Sequence, residues 1–179
     1  QEIYDMIVSL SANLRYTIKG GELVSLQEEL DYVDRYILLQ KTRLGGRLEV
    51  TKKINPKVNL AVIPKISIQM LVENAIIHGM PEDGAVLHII IRVCMENNRL
   101  LISVYDDGKG ILPEKVKELN DIFSGKSADT GNSIGLPNLA SRLKILYQGE
   151  AGLFLESQGD QFTEVKMELP IRKRGNENV

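Results

Sequence analysis

Asn74 and His78 stand four residues apart in the run Leu71-Val72-Glu73-Asn74-Ala75-Ile76-Ile77-His78-Gly79. On a helix that spacing stacks both side chains on one face. The run reads as a helix over about 65–78, starting just after Pro64 and stopping at Gly79. Ile66, Ile68, Met70, Leu71, Val72, Ala75, Ile76 and Ile77 leave it little room for a solvated face, and a helix apolar all round belongs in a core. An amide buried there must be hydrogen-bonded, because an orphaned one costs about 1–3 kcal/mol. Two readings follow. In one, the Asn bonds to nearby backbone and the His covers the helix end. In the other, the two form a polar stripe facing a ligand.

A second candidate comes from strand parity. Residues 86–95 alternate, with Leu87, Ile89, Ile91, Val93 and Met95 on one face and His88 and Arg92 on the other. Glu96-Asn97-Asn98-Arg99 reads as a hairpin connection, and 100–106 as the next strand, with Leu100, Ile102 and Val104 inward. Asp106 shares that inward face, and a carboxylate there needs a donor. Asp107-Gly108-Lys109-Gly110 follows at once. Two glycines two apart permit positive φ or a close backbone approach, although a plain surface turn also favours Asp-Gly.

The third candidate is an anion cradle. Residues 113–122 read as a short helix entered at Pro113, and 123–134 as a small, polar, glycine-punctuated mobile loop. A helix then opens near Gly135-Leu136 and runs to about Tyr147, with Leu139, Leu143 and Leu146 inward and Arg142 and Lys144 available. A glycine loop feeding a helix N-terminus presents free N–H groups and the positive dipole end to an anion. Asp can accept from an exocyclic amine, Asn can ligate Mg²⁺ through its amide oxygen, and the loop can hold phosphates. No G-x-x-x-x-G-K-[ST] occurs, so the combination describes an ATP site without a P-loop.

The remaining elements must position these groups. Ile3, Ile7, Leu10, Leu14 and Ile18 form one helical stripe over 1–19, ended by Gly20-Gly21. A second helix opens at Ser25, with Glu28 completing a capping box. Its stripe is Leu26, Leu30, Val33, Ile37 and Leu44, widened by Tyr32, Tyr36 and Leu39, and Gly45-Gly46 closes it. These stripes need a partner: either the following domain or a helical bundle with another copy of the chain. Leu48 and Val50, with Lys52, begin a strand that ends before Asn55-Pro56, and Pro81-Glu82-Asp83-Gly84 is a turn. Strands at about 152–157 and 162–169 finish the domain, and 175–179 are expected to be disordered. The expected organisation is a helical segment over 1–46, an ATP-binding domain over 47–171 and a tail over 172–179.

Composition excludes several classes. With 179 residues, 43% apolar, 26% charged and a net charge of −2, the chain is an ordinary globular one with no sign of nonspecific nucleic-acid binding. A single cysteine, Cys94, rules out an intrachain disulfide or cysteine metal site. No apolar run reaches the ~18 residues of a membrane span, and no signal peptide is present. The chain begins without Met and in mid-helix by pattern, as a fragment of something longer would.

The run ending His78-Gly79, then Asp106-Asp107-Gly108-Lys109-Gly110, then Ser133-Ile134-Gly135-Leu136-Pro137-Asn138-Leu139-Ala140-Ser141-Arg142-Leu143, resemble the nucleotide-binding boxes of the GHKL ATPases: gyrase, the heat-shock chaperone ATPase, histidine kinases and the mismatch-repair ATPase. The preceding helix, from Leu26-Gln27-Glu28-Glu29-Leu30 to Lys41-Thr42-Arg43, is similar more narrowly to membrane-anchored bacterial sensor histidine kinases. The resemblance covers about residues 10 to 170. It implies an α+β fold, a two-layer sandwich of a mixed, mostly antiparallel sheet with helices on one face. It implies that Asn74 ligates Mg²⁺ and His78 lies near the phosphates. Asp106 would take the adenine amine, with Gly108 and Gly110 flooring the base. Ser133, Gly135 and Leu136 would close the lid segment, followed by Asn138 and Arg142, and Thr163 matches a pocket threonine on the late strand.

The implied chemistry is transfer of the ATP γ-phosphoryl group to a histidine and on to an aspartate of a response regulator, in a homodimer whose membrane attachment and acceptor histidine lie upstream. This part would then be the cytoplasmic one. Three departures stand out. Ser133 and Phe162 replace glycines usual in the family, and neither His78 nor His88 has the context of a phosphoacceptor. Met70 stands where the hydrolytic members carry a water-activating Glu, and a thioether is no base. The alternatives are an ATP-gated clamp or ATPase, and a non-catalytic nucleotide-binding dimerisation module.

Overall fold

A computed structural model describes residues 21–58, 60–128 and 135–171. The expected helix over 1–19, Ser133 and the tail over 172–179 lie outside the described residues. In chain order the elements are β1 (Leu23–Ser25), α1 (Leu26–Leu44), β2 (Leu48–Ile54), β3 (Val62–Pro64), α2 (Ser67–Gly79), β4 (Leu87–Glu96), β5 (Arg99–Asp106), α3 (Pro113–Ser124), α4 (Leu136–Leu146), β6 (Gly152–Gln158) and β7 (Phe162–Pro170).

Five strands form one sheet in the order β2-β4-β5-β7-β6. Only the β2–β4 pair is parallel, which requires the long crossover through β3 and α2. The expected mixed, mostly antiparallel α+β sandwich is thus the fold found. Asn97 and Asn98, both at positive φ, make the tight turn between β4 and β5. Alternation decides which face is covered. Leu87, Ile89, Ile91, Val93, Leu100, Ile102, Val104, Val165, Met167 and Leu169 are buried beneath the helices. Met95, expected inward, is 42% exposed, since it lines an open cleft with Val58, Leu60 and Leu100 at the end of β4. The opposite face carries Arg92, Tyr105, Glu164 and Lys166, joined by ion pairs and a cation–π contact.

α2 lies against β4, β5 and β7, while α3 and α4 lie against β6. α1 packs on α2 and β2, so of the two partners expected for its stripe the domain itself is the one found. Leu26, Leu30, Val33 and Ile37 enter the same core as the sheet, each burial favouring this arrangement by about 1.5–3 kcal/mol. Ser25 caps α1 through the expected box with Glu28. Two short pieces were not legible in the sequence. β1 pairs with β3, stitching residues 23–25 to 62–64 immediately before α2.

The start of α2 is unusual. Its N-cap, Ile66, has φ +64, a left-handed conformation that costs a β-branched residue on the order of 1–2 kcal/mol. Ile66 offers no side-chain cap. Glu29, fully buried on α1, supplies it from outside: its carboxylate accepts from the N–H groups of Ile66 at 2.8 Å, Ile68 at 3.0 Å and Gln69 at 3.4 Å. A carboxylate there satisfies orphan donors and complements the positive end of the helix dipole.

Candidate functional site

The expected all-round burial of α2 holds on one side only. Ile68, Leu71, Val72, Ala75 and Ile76 are buried, but Ile77 is 57% exposed, His78 is exposed and Asn74 is half-buried. The open side coincides with the Asn74–His78 stripe, since no described element covers it. The Asn74 amide has no hydrogen-bond partner among the described residues, so the reading in which it is tied to nearby backbone fails. A half-buried amide with free lone pairs can serve as one ligand of a hard cation. Among the described residues no three His, Cys, Asp or Glu side chains gather as a metal site, so a cation at Asn74 would need most of its ligands from elsewhere.

Asp106 ends β5 on the helix-covered face, as parity predicts, and is 2% exposed. Oδ1 accepts from the N–H of Gly108 at 3.1 Å. Oδ2 meets no donor among the described residues. Burial is the main cause that pushes its pKa up to about 7; the neighbouring Asp107 charge adds to it and the Gly108 hydrogen bond opposes it. A buried carboxylate short of a donor is stabilised by any ligand that brings an N–H. Thr163 lies directly across on β7, 4% exposed, with its hydroxyl 3.0 Å from Ser157 Oγ.

The glycine loop is set by close approach. A Cβ on Gly108 would lie 2.1 Å from Gly79 O, and one on Gly110, at φ +62, would lie 2.0 Å from Gln158 O. The loop is wedged between the end of α2 and the β6–β7 turn, held by Lys109 N donating to Gly79 O at 3.2 Å and Asp160 N donating to Lys109 O at 2.7 Å. Both glycines therefore seat the loop against protein backbone, rather than only flooring a ligand. Gly79 in turn abuts the Asp106 carboxylate, so α2 and β5 meet at that acid. On the other side, His88 pairs with Asp107 at 2.8 Å, fixing the turn's first residue away from the pocket.

Ser157 was missed by sequence reasoning. Its hydroxyl donates to Phe162 O at 2.6 Å and accepts from Ile111 N at 2.7 Å, tying the loop exit to the β6–β7 hairpin beside Thr163. Strand parity could have found it, since it continues the inward row of Leu153 and Leu155. Phe162 stacks on Tyr105 at 5.7 Å on the far face of the sheet, away from the Asp106–Thr163 side.

The α4 residues divide. Gly135 and Asn138 are exposed at the helix start, whereas the Leu136 side chain is buried in the core, leaving only its backbone N–H for an anion. Arg142, expected with the nucleotide box, is turned elsewhere. It donates to Lys65 O at 2.7 Å, at the end of α2 remote from Asp106, and its Nε is buried with no partner among the described residues. Burial lowers its pKa most, with Glu29 and Glu22 opposing. Ser133 lies outside the described residues.

Comparison with known proteins agrees with the fold. The chain is 38% identical over 146 residues to the sensor histidine kinase YpdA of Escherichia coli (strain K12), covering 79% of this chain and 24% of that one. It is 28% identical over 178 residues to the sensor protein LytS of Bacillus subtilis (strain 168), covering 97% of this chain and 30% of that one. The chain thus spans under a third of these relatives. The catalytic domain of histidine kinase ThkA superposes with a TM-score of 0.58 at 19% identity, over 83% of this chain and 93% of that one, and so shares the fold. A histidine kinase domain from Erythrobacter litoralis gives 0.53 at 20% identity, over 96% and 75%. The family model for histidine kinases matches residues 1–48. Residues 64–173, which hold Asn74, Asp106 and α4, match a second model, and on that match the chain belongs to the histidine kinase-, DNA gyrase B- and HSP90-like ATPase family.

Proposed function

We propose that this chain is the ATP-binding catalytic part of a two-component sensor histidine kinase. One observation carries the reading of the site: Asp106 is buried, raised to about 7, and has an oxygen without a donor. An exocyclic amine supplies that donor, and adenine has one. Asn74, half-buried and unpartnered, fits a Mg²⁺ that takes its other ligands from phosphate oxygens and water. The exposed start of α4 at Gly135, with its positive dipole end, suits phosphates, Asn138 stands beside it, and His78 lines the open side of α2.

Bound ATP supplies the transferable phosphoryl group. The chain's residues hold its base, orient its phosphates and stabilise charge, which is most of what phosphoryl transfer requires. Met70, one turn before Asn74, offers no base for water, so slow hydrolysis is expected. The acceptor is a histidine outside the described site, and a response-regulator aspartate receives the group next. The relatives are named as sensors, and the reading extends to a membrane-attached, dimeric parent with this part on the cytoplasmic side; no helix among the described residues is long and apolar enough to cross a membrane. The test is a longer chain carrying an upstream histidine, incubated with Mg²⁺-ATP. Acid-labile, base-stable phosphate on that histidine is expected. None, with ATP demonstrably bound, would reduce the chain to a nucleotide-binding module.

A further inference from the structure

Three elements meet at residues 65–69, and each contributes one group. From α2 comes its first turn, with the strained N-cap Ile66 and N–H groups that no carbonyl within the helix can satisfy. From α1 comes the Glu29 carboxylate, bonded to Ile66, Ile68 and Gln69. From α4 comes the Arg142 guanidinium, on Lys65 O at 2.7 Å and within the favourable field of Glu29. Resting on the nucleotide reading above, we infer that Glu29 is a positioning residue for the phosphate end of the site. Its bonds hold α1 to the start of α2, where Arg142 of α4 also docks on Lys65 O, so that Asn74 and the start of α4 face the same nucleotide.

The rest of the α1–α2 contact is made by Leu26, Leu30, Val33 and their neighbours, and apolar burial is non-directional. The Glu29 bonds are directional, and they tie the rotation of the first turn of α2 to α1. Asn74 lies six residues beyond Ile68 on the same rigid helix, about 9 Å along the axis, and a slip of one residue would swing it by about 100°. Arg142 lies seven residues beyond Gly135, about two turns, so the same joint sets where the α4 N-terminus points. The left-handed Ile66 supports the idea of a held joint, since strained backbone persists only where its surroundings over-determine it.

The adenine end is secured separately. Asp106, Gly79 and Gly108 meet at the opposite end of α2 through their own close approach and hydrogen bonds. A merely structural cap would lower stability and leave the affinities of folded protein alone. A positioning role predicts a split between ligands that use one end and ligands that use both.

The experiment compares adenosine and Mg²⁺-ATP binding by calorimetry to the wild-type chain and to Glu29→Gln, at a temperature where circular dichroism shows both folded. For Glu29→Gln, Mg²⁺-ATP affinity is expected to fall at least about tenfold, while adenosine affinity stays within about twofold. Should that variant not fold, Glu29→Asp, still ionised but one methylene shorter, must show the same split at a smaller size. Mg²⁺-ATP affinity unchanged in the folded variant, or equal loss of both ligands, overturns the positioning role alone. A wild-type chain that binds neither ligand overturns the nucleotide reading and this role with it.

Discussion

Replacing Asp106 by Asn should stabilise the free protein and cripple nucleotide binding together. The carboxylate is 2% exposed and its pKa is raised from 3.8 to about 7, chiefly by burial. A folded pKa above the unfolded one means that ionisation opposes folding. The native state loses nothing on this account below the unfolded pKa, then progressively more as pH rises, until the loss levels off above about 7. At ~1.4 kcal/mol per unit the full penalty is about 4 kcal/mol, and the part that develops between pH 5 and pH 8 is about 3 kcal/mol. Asn keeps an acceptor for Gly108 N and carries no charge, so the variant escapes this penalty.

Urea unfolding at both pH values measures it. The advantage of Asp106→Asn over wild type should be larger at pH 8 than at pH 5 by roughly 2–3 kcal/mol, worth about 5–10 °C in melting temperature for a domain of this size. Adenosine affinity should fall on the order of 30–100-fold, the worth of a hydrogen bond to a charged group in a buried site. An advantage equal at the two pH values, or a variant less stable than wild type at pH 8, would refute the burial reasoning. Unchanged adenosine affinity would refute the assignment of the amine to this acid.

Nucleotide affinity itself should depend on pH with the opposite benefit. The ionised acid is the better acceptor, so affinity falls as pH drops below about 7, approaching tenfold per unit, and calorimetry in two buffers of different ionisation enthalpy should show proton release on binding at pH 6. Asn74→Ala should remove the Mg²⁺-dependent part of ATP affinity and leave adenosine binding intact; titrations with and without Mg²⁺ would show it, and a Mg²⁺ effect that persists assigns the metal elsewhere. Gly108→Ala places a methyl 2.1 Å from Gly79 O, a backbone atom that cannot rotate away, so we expect a loss of about 3 kcal/mol or more by urea unfolding, with the nucleotide site lost too.

Local periodicity made most of this architecture legible. The Ser25–Glu28 box, the alternation over β4 and β5, and the position of Asp106 each follow from spacing within one element, where geometry leaves little choice. Contacts between elements were less visible. β1 and β3 are three residues each, too short to show a period. Glu29 stands three after Leu26 and beside Leu30, on the buried stripe. A charge in that register needs a partner, and that signal was available. Arg142 could not have been placed, because its partner is a backbone carbonyl 77 residues earlier in the chain. Parity does place Phe162, since β7 turns it to the far side of the sheet from Thr163.

A structure of the chain with Mg²⁺ and a non-hydrolysable ATP analogue tests the central claim most directly. The account predicts the adenine amine within hydrogen-bond distance of Asp106 Oδ2 and the metal on the Asn74 amide oxygen. A base bound away from Asp106, with that oxygen still lacking a donor, would contradict it.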